Sequence, residues 1–467
     1  MGTSSKKRIA LSAAMMVTLP VAALSQGAGN PGGWQVDLGF SSTLKYDDNF
    51  TLRDPSLGDT TIFDNKLTFG ISSVTATESF SVTGSTVFRY AEFPGRTATG
   101  LEDPNIRVDY ARQGVNGSVS AFARYRNVDR EFLDPFQVEA EEQALLGLGL
   151  TPITDDGGTL IQKSGGLDLR TGINDPLGFS LSIRHDQRDY QNVTDPQLFD
   201  RRTTSVTAGA TMKVSPVTQF RFSAGVTDYD ANDTPQTDRK TYDASVGVTY
   251  DIDPALVLDA SIGRTTVDTT QFGTPTSRDG TTTSLRLTKT LPNGTIYGSF
   301  GTTINQNGES KTLRFGRDLT LPLGALSASL GVTETPSGDL NTVADVTYSR
   351  QMQTDNISVS LNRAVSTNSL DQDVLNTRLR VGYGHQIDNL SRIGLTFDYG
   401  RTEKAGTGAV STVERATLRA TYTRQMTQDW GLTGGIELRK RTDSGAGTDA
   451  DAHAVFLTLD RSFSFRP

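Results

Sequence analysis

From Trp34 to the C-terminus the chain repeats one unit: an amphipathic segment of about ten residues, then a connection that is alternately tight and long. Tight connections at one end and loose polar ones at the other are what a closed up-and-down β-barrel, inserted from one side of a membrane, requires. The pattern predicts an all-β fold, an antiparallel transmembrane barrel whose strands turn alternate residues to lipid and to lumen. Alternation of that kind averages out in bulk, so 35% hydrophobic residues do not argue against a membrane. No apolar run of about 18 residues follows the N-terminal segment, which excludes a helical membrane protein.

The N-terminus reads as a secretory signal. Lys6, Lys7 and Arg8 form a basic start, Ile9 to Val21 an apolar core, and Ala23-Leu24-Ser25 place small residues where a signal peptidase reads them. Cleavage is expected before Gln26, giving a signal peptide at 1–25, a short periplasmic segment at 26–33 and one barrel domain at 34–467. The chain has no cysteine, so neither a lipid anchor nor disulfides contribute, and stability must come from barrel closure and lipid burial.

A period of two marks the strands. The first, Trp34 to Tyr46, sets Val36, Leu38, Phe40 and Leu44 against Gln35, Asp37 and Lys45. Similar segments include Tyr242 to Tyr250, Ile393 to Tyr399 and Trp430 to Leu438. Short turns stand at Gln113–Gly117, Asn174–Pro176, Ser215–Val217, Asp251–Pro254, Leu291–Gly294, Leu321–Gly324, Ile387–Asn389 and Met426–Asp429. Their Pro, Asn, Asp and Gly suit tight reversal. The intervening connections are longer and acidic: Asp47–Asp64, Phe93–Pro104, Arg188–Arg202, Asp228–Lys240, Val267–Gly280 and Thr442–Asp451. With the short set in the periplasm, counting gives about 22 strands, an even number that brings both termini to the same side.

The turn at Tyr348-Ser349-Arg350-Gln351-Met352 repeats in Tyr422-Thr423-Arg424-Gln425-Met426, an aromatic residue ahead of a basic turn. Such a pattern fits an aromatic girdle at headgroup level. The last strand alternates Leu457, Leu459, Phe463 and Phe465. It resembles the C-terminal insertion signal of bacterial outer-membrane barrels, with Phe463 and Phe465 as its apolar end, although Arg466 and Pro467 lie beyond. Tyr46-Asp47-Asp48-Asn49-Phe50 after an amphipathic first strand is similar to the opening of the β-barrel porin families of Gram-negative outer membranes, some of them encoded with exopolysaccharide systems. The resemblance implies outer-membrane lipid, lipopolysaccharide and the barrel-assembly machinery as partners, and a passive route for solutes. It carries no catalytic residue over.

If the aliphatic and aromatic set faces lipid, the other face carries Arg89, Arg107, Arg124, Arg126, Arg170, Arg184, Arg221, Arg286, Arg314, Arg378, Arg380, Arg415, Arg419 and Arg439. The clearest acids sharing it are Asp109, Asp168, Asp398 and Glu437. The chain has net charge −8, so its acids are displaced into loops while the wall is basic, and a basic pore favours anions, including an anionic polysaccharide. The alternative is a structural ladder of arginines paired with acids. The connection 127–163 is the longest, and Val138 to Leu146 has helical propensity. By resemblance to porins it narrows the channel, setting Glu139, Glu141 and Glu142 against the arginines; the alternative is a surface flap.

Other functions fit less well. Asp47, Asp48, Asp54, Asp59 and Asp64 lack the spacing of a calcium loop and read as solvated surface acids. His185, His385 and His453 do not converge, so neither a metal site nor a hydrolase is indicated, with His185-Asp186 the one pair worth keeping. Only Gln26 to Gly33 precedes the first strand, which disfavours a plugged receptor. The sequence calls for no cofactor and no nucleic acid. It predicts a porin-like channel for hydrophilic, anionic solutes or an exported polysaccharide, with a non-conducting scaffold or adhesin as the alternative.

Overall fold

A computed structural model describes residues 33–132, 157–193, 198–368, 371–405, 412–445 and 447–466. The strands are β1 Trp34–Asp47, β2 Thr60–Val74, β3 Glu78–Phe93, β4 Arg96–Gln113, β5 Gly117–Asp129, β6 Thr159–Thr171, β7 Leu177–Gln191 and β8 Arg201–Ser215. There follow β9 Thr218–Ala231, β10 Asp238–Asp253, β11 Leu256–Gln271, β12 Thr274–Leu291, β13 Gly294–Asn305, β14 Gly308–Leu321 and β15 Gly324–Glu334. The circuit ends with β16 Leu340–Gln351, β17 Asp355–Thr367, β18 Asp373–Gln386, β19 Ser391–Lys404, β20 Val413–Gln425, β21 Trp430–Asp443 and β22 Thr448–Phe465. Each pairs antiparallel with its sequence neighbour, and β1 pairs with β22 from Val36↔Phe465 to Asp47↔Ala454. The result is a closed 22-strand barrel. Closure pairs the first strand with the last, so no free edge remains to recruit another chain.

Alternation sorts the side chains as the sequence predicts. Leu38 of β1 stands on one outward rung with Phe69 of β2 and Phe463 of β22, and Leu44 on another with Phe63 and Tyr90. All six are exposed, though large and apolar. A band of this kind is stable only against hydrocarbon. Aromatic residues edge it at both ends: Trp34, Tyr250, Tyr383 and Tyr422 near the turns, Tyr46, Tyr90, Tyr125 and Tyr242 near the loops. On the loop side the outward face then becomes charged, with pairs such as Lys163–Asp189, Arg264–Asp279 and Lys440–Asp449.

One end of the barrel carries only connections of two to five residues, and all eight short turns read from the sequence fall there. The other end is less uniform than expected. The segments Phe93–Pro104 and Val267–Gly280 are not loops but protruding hairpins, reversed in two residues at 94–95 and 272–273. Phe272 (φ 52°) and Gly273 (φ 71°) both take left-handed backbone, the geometry that lets a two-residue turn follow the strand twist. The longest connection is shorter than 127–163, since β5 runs to Asp129 and β6 starts at Thr159. Its described part begins with a 3₁₀ turn, Arg130–Phe132. The signal peptide, the Val138–Leu146 stretch and Glu139, Glu141 and Glu142 lie outside the described residues.

Candidate functional site

The inward face is the candidate site. All fourteen predicted arginines fall on it, because each alternates with an outward apolar or small neighbour: Phe88 beside Arg89, Ile106 beside Arg107, Leu285 beside Arg286, Leu379 between Arg378 and Arg380. They do not form an uncompensated basic wall. Each of the four acids singled out with them holds an arginine: Arg107 to Asp109 (2.6 Å), Arg184 to Asp168 (2.5 Å), Arg380 to Asp398 (2.5 Å) and Arg419 to Glu437. Arg221 adds Asp259 at 3.0 Å, and Arg286 lies over the ring of Tyr297. Arg380–Asp398 and Arg419–Glu437 are direct cross-strand partners, so the barrel register itself brings the charges together. Arg124, Arg126, Arg170, Arg314, Arg378 and Arg415 share the face.

The loop half of the lumen is packed. Arg89 of β3 is wholly buried, its Nε donating to Asp64 of β2 at 3.0 Å and its Nη2 to Asp103 of β4 at 2.9 Å. Its guanidinium lies 4.6 Å from the ring centroid of Phe132, which with Phe50, Ile62, Phe93 and Ala98 forms an apolar plug against the inner wall. A second ionic cluster crosses the closing seam. Lys45 of β1 reaches Glu437 of β21 at 3.0 Å and Asp47 at 3.1 Å, while Arg439 reaches Asp47 at 2.6 Å and the carbonyl of Phe50 at 3.1 Å. Asp47 and Asp64, expected among solvated surface acids, are instead buried or nearly so, because the β1–β2 loop folds inward and the strands enclose them.

A tie crosses the mouth from the opposite side. Asp371, between β17 and β18, accepts from Arg239 of β10 at 2.7 and 2.8 Å, from Gln271 of β11 at 3.0 Å and from Gln306 beyond β13 at 2.8 Å. Asn307 donates to the Asp371 carbonyl and to Asp373, both at 3.0 Å. Arg239 also lies beside the ring of Tyr229, which packs with Phe199. Among the described residues the turn half has no such tie. There Arg107, Arg184 and Arg221 keep about two-fifths of their side-chain surface in contact with solvent.

Nothing in the sequence singled out Asp371 or Asp103. Asp371 has left-handed backbone (φ 59°), and so has Asp103 (φ 53°), beside a shift in the β3–β4 register. The His185-Asp186 pair is split, since successive strand residues face opposite ways: His185 meets Thr204 outside at 2.8 Å, whereas Asp186 faces inward to Arg188 at 3.2 Å. His385 pairs with Asp355 and His453 with Asp48, on distant strands. At the rim Asp48 accepts from the His453 backbone N–H at 2.7 Å and its ring Nδ1 at 2.9 Å. Partial burial opposes its ionisation, but these hydrogen bonds prevail and hold the carboxyl below its ordinary range.

No family model and no curated protein matches this chain. Solved structures do. The FrpB iron transporter from Neisseria meningitidis aligns with a TM-score of 0.58 at 8% identity, over 93% of this chain and 83% of that one. The siderophore receptor PirA from Acinetobacter baumannii gives 0.56 at 9%, over 93% and 81%. A mutant of the ferric enterobactin receptor from Pseudomonas aeruginosa gives 0.54 at 9%, over 92% and 80%. At such identities the likeness is one of fold, a closed barrel of the 22-strand size.

Proposed function

We propose that this chain is a transport barrel of a Gram-negative outer membrane, a porin-like passage for hydrophilic solutes or an exported polysaccharide, closed at its loop end by its own side chains. The observation that carries the reading is the contrast within the lumen: a 22-strand circumference is too wide for side chains to fill, and inward arginines of the turn half such as Arg107, Arg184 and Arg221 stay wet while Arg89 and Arg239 of the loop half are buried and tied to acids from neighbouring strands and loops. The short turns face the periplasm and the loops the exterior, as insertion from the periplasm requires. Phe463 and Phe465, outward and exposed at the end of β22, serve as the insertion signal for the assembly machinery, and the apolar band meets lipid and lipopolysaccharide. On this reading the chain has no chemistry of its own: His185 meets the Thr204 hydroxyl on the outer face, away from the lumen.

Pairing of lumen arginines with acids weakens the field that an unbalanced basic wall would set up, leaving a mild preference for anions. The similar barrels are an iron transporter, a siderophore receptor and a ferric enterobactin receptor. Barrels of that size enclose a plug; among the described residues closure comes from strands and loops instead. Single-channel recording in planar bilayers tests the proposal. The wild-type barrel is expected to conduct rarely and Asp371→Ala to conduct often, with weak anion preference. Silence from both variants would favour the non-conducting scaffold.

A further inference from the structure

The turn half of the lumen contains a recess of about 340 Å³ on the wall of β2 to β5, with Ser72, Ser81, Asp109, Ser120 and Phe122 among its lining residues. Its floor is made of small side chains, serines beside Ala111 and Val74, its exposed surface is mainly apolar, and its largest inward group is the half-buried Phe122 ring. That ring occupies the space left open by Gly166 of β6, where an added Cβ would come 2.5 Å from its Cε1. The guanidinium groups of Arg107 and Arg184 each lie 5.5 Å from its centroid. Both are already neutralised, Arg107 by a two-pronged pair with Asp109 (2.6 Å for each prong) and Arg184 by Asp168.

We propose that this recess is a subsite for a neutral sugar ring. The inference rests on the passage proposed above and names its cargo as hydroxyl-rich carbohydrate. A pyranose has an apolar C–H face and a rim of hydroxyls that both donate and accept. The recess supplies the matching parts: an aromatic ring to cover the C–H face, a carboxylate to accept, and guanidinium edges to donate. Because Arg107 and Arg184 are each balanced by an acid, these two pairs offer hydrogen bonds without net charge of their own, which suits a neutral unit better than an anion. A volume of this size is at the lower end of small-molecule sites and holds one or two sugar units.

Isothermal titration calorimetry of the full chain in detergent, with maltohexaose and cellohexaose as probes, tests this without requiring conduction. Millimolar binding of at least one probe is expected, weakened about tenfold in Phe122→Ala and retained in Phe122→Tyr. Asp109→Asn keeps the ring, removes the charged acceptor and is expected to weaken binding several-fold; it reads the site if Phe122→Ala does not fold. No binding of either probe by wild type, or binding as tight as wild type in both Phe122→Ala and Asp109→Asn, overturns the proposal. A barrel that binds sugar yet never conducts refutes the passage and leaves the subsite; one that conducts without binding sugar does the reverse.

Discussion

Arg89 and Arg107 stand on adjacent strands and both face the lumen, yet the Arg89 side chain is 1% exposed between two aspartates while that of Arg107 is 46% exposed beside one. The difference lies in the connections rather than in the charges. At the loop end Phe50, Phe132 and Asp371 are delivered inward by segments long enough to fold over the mouth. At the turn end two to five residues only reverse the chain, and among the described residues none folds inward as Phe50 and Asp371 do. The same inward arginine is thus a buried structural charge in one half and a water-facing lining group in the other.

Substitutions should break that contrast in a definite order. Arg89→Ala removes the guanidinium that holds Asp64 and Asp103 together, and is expected to cost about 3–5 kcal/mol in denaturant unfolding from lipid vesicles. Asp371→Ala should cost less stability but release the tie to Arg239 and Gln271, raising open probability several-fold in bilayer recordings. Arg107→Ala, in the wet half, is expected to change unfolding by less than about 1 kcal/mol and to register instead as a small change in ion selectivity. The smallest effect concerns Asp48. Its depressed carboxyl contributes fully above the ordinary carboxylate pKa of about 3.9 and loses that contribution as pH falls through the lowered value. The protection of residues 48–59 against hydrogen exchange, corrected for the intrinsic pH dependence of amide exchange, should therefore be flat from the ordinary histidine pKa of about 6.5 down to about 4 and fall only below it, and His453→Ala should remove the step.

Much of the fold was legible because lipid imposes a period of two. The strands follow from that rule, and the eight short turns and the even parity from it together with the Pro, Asn, Asp and Gly that mark tight reversals. It failed where strands leave the membrane. Thr274 to Gly280 and Arg96 to Pro104 face water on their outward side, so their Thr, Asp and Pro residues look like loops although the backbone is paired with β11 and β3. The inward face was legible as a set of arginines, since alternation places them; their partners were only half legible. Asp398 and Glu437 lie directly across from Arg380 and Arg419 once the register is known. Lys45–Glu437 and Arg239–Asp371 depend on closure and on a folded loop, across 392 and 132 residues of sequence, and no local pattern announces them.

The central claim, a lumen open at its turn end and closed at its loop end, can be tested directly because the chain has no native cysteine. Single cysteines at Ser182, inward in the turn half, and at Thr203, buried in the loop half, would be exposed to a membrane-impermeant maleimide from either side of oriented proteoliposomes. The account predicts that Ser182→Cys labels rapidly from the turn side and slowly from the loop side, that Thr203→Cys resists both, and that adding Asp371→Ala speeds loop-side labelling. Equal labelling of Ser182→Cys from both sides in the otherwise unaltered barrel would contradict it.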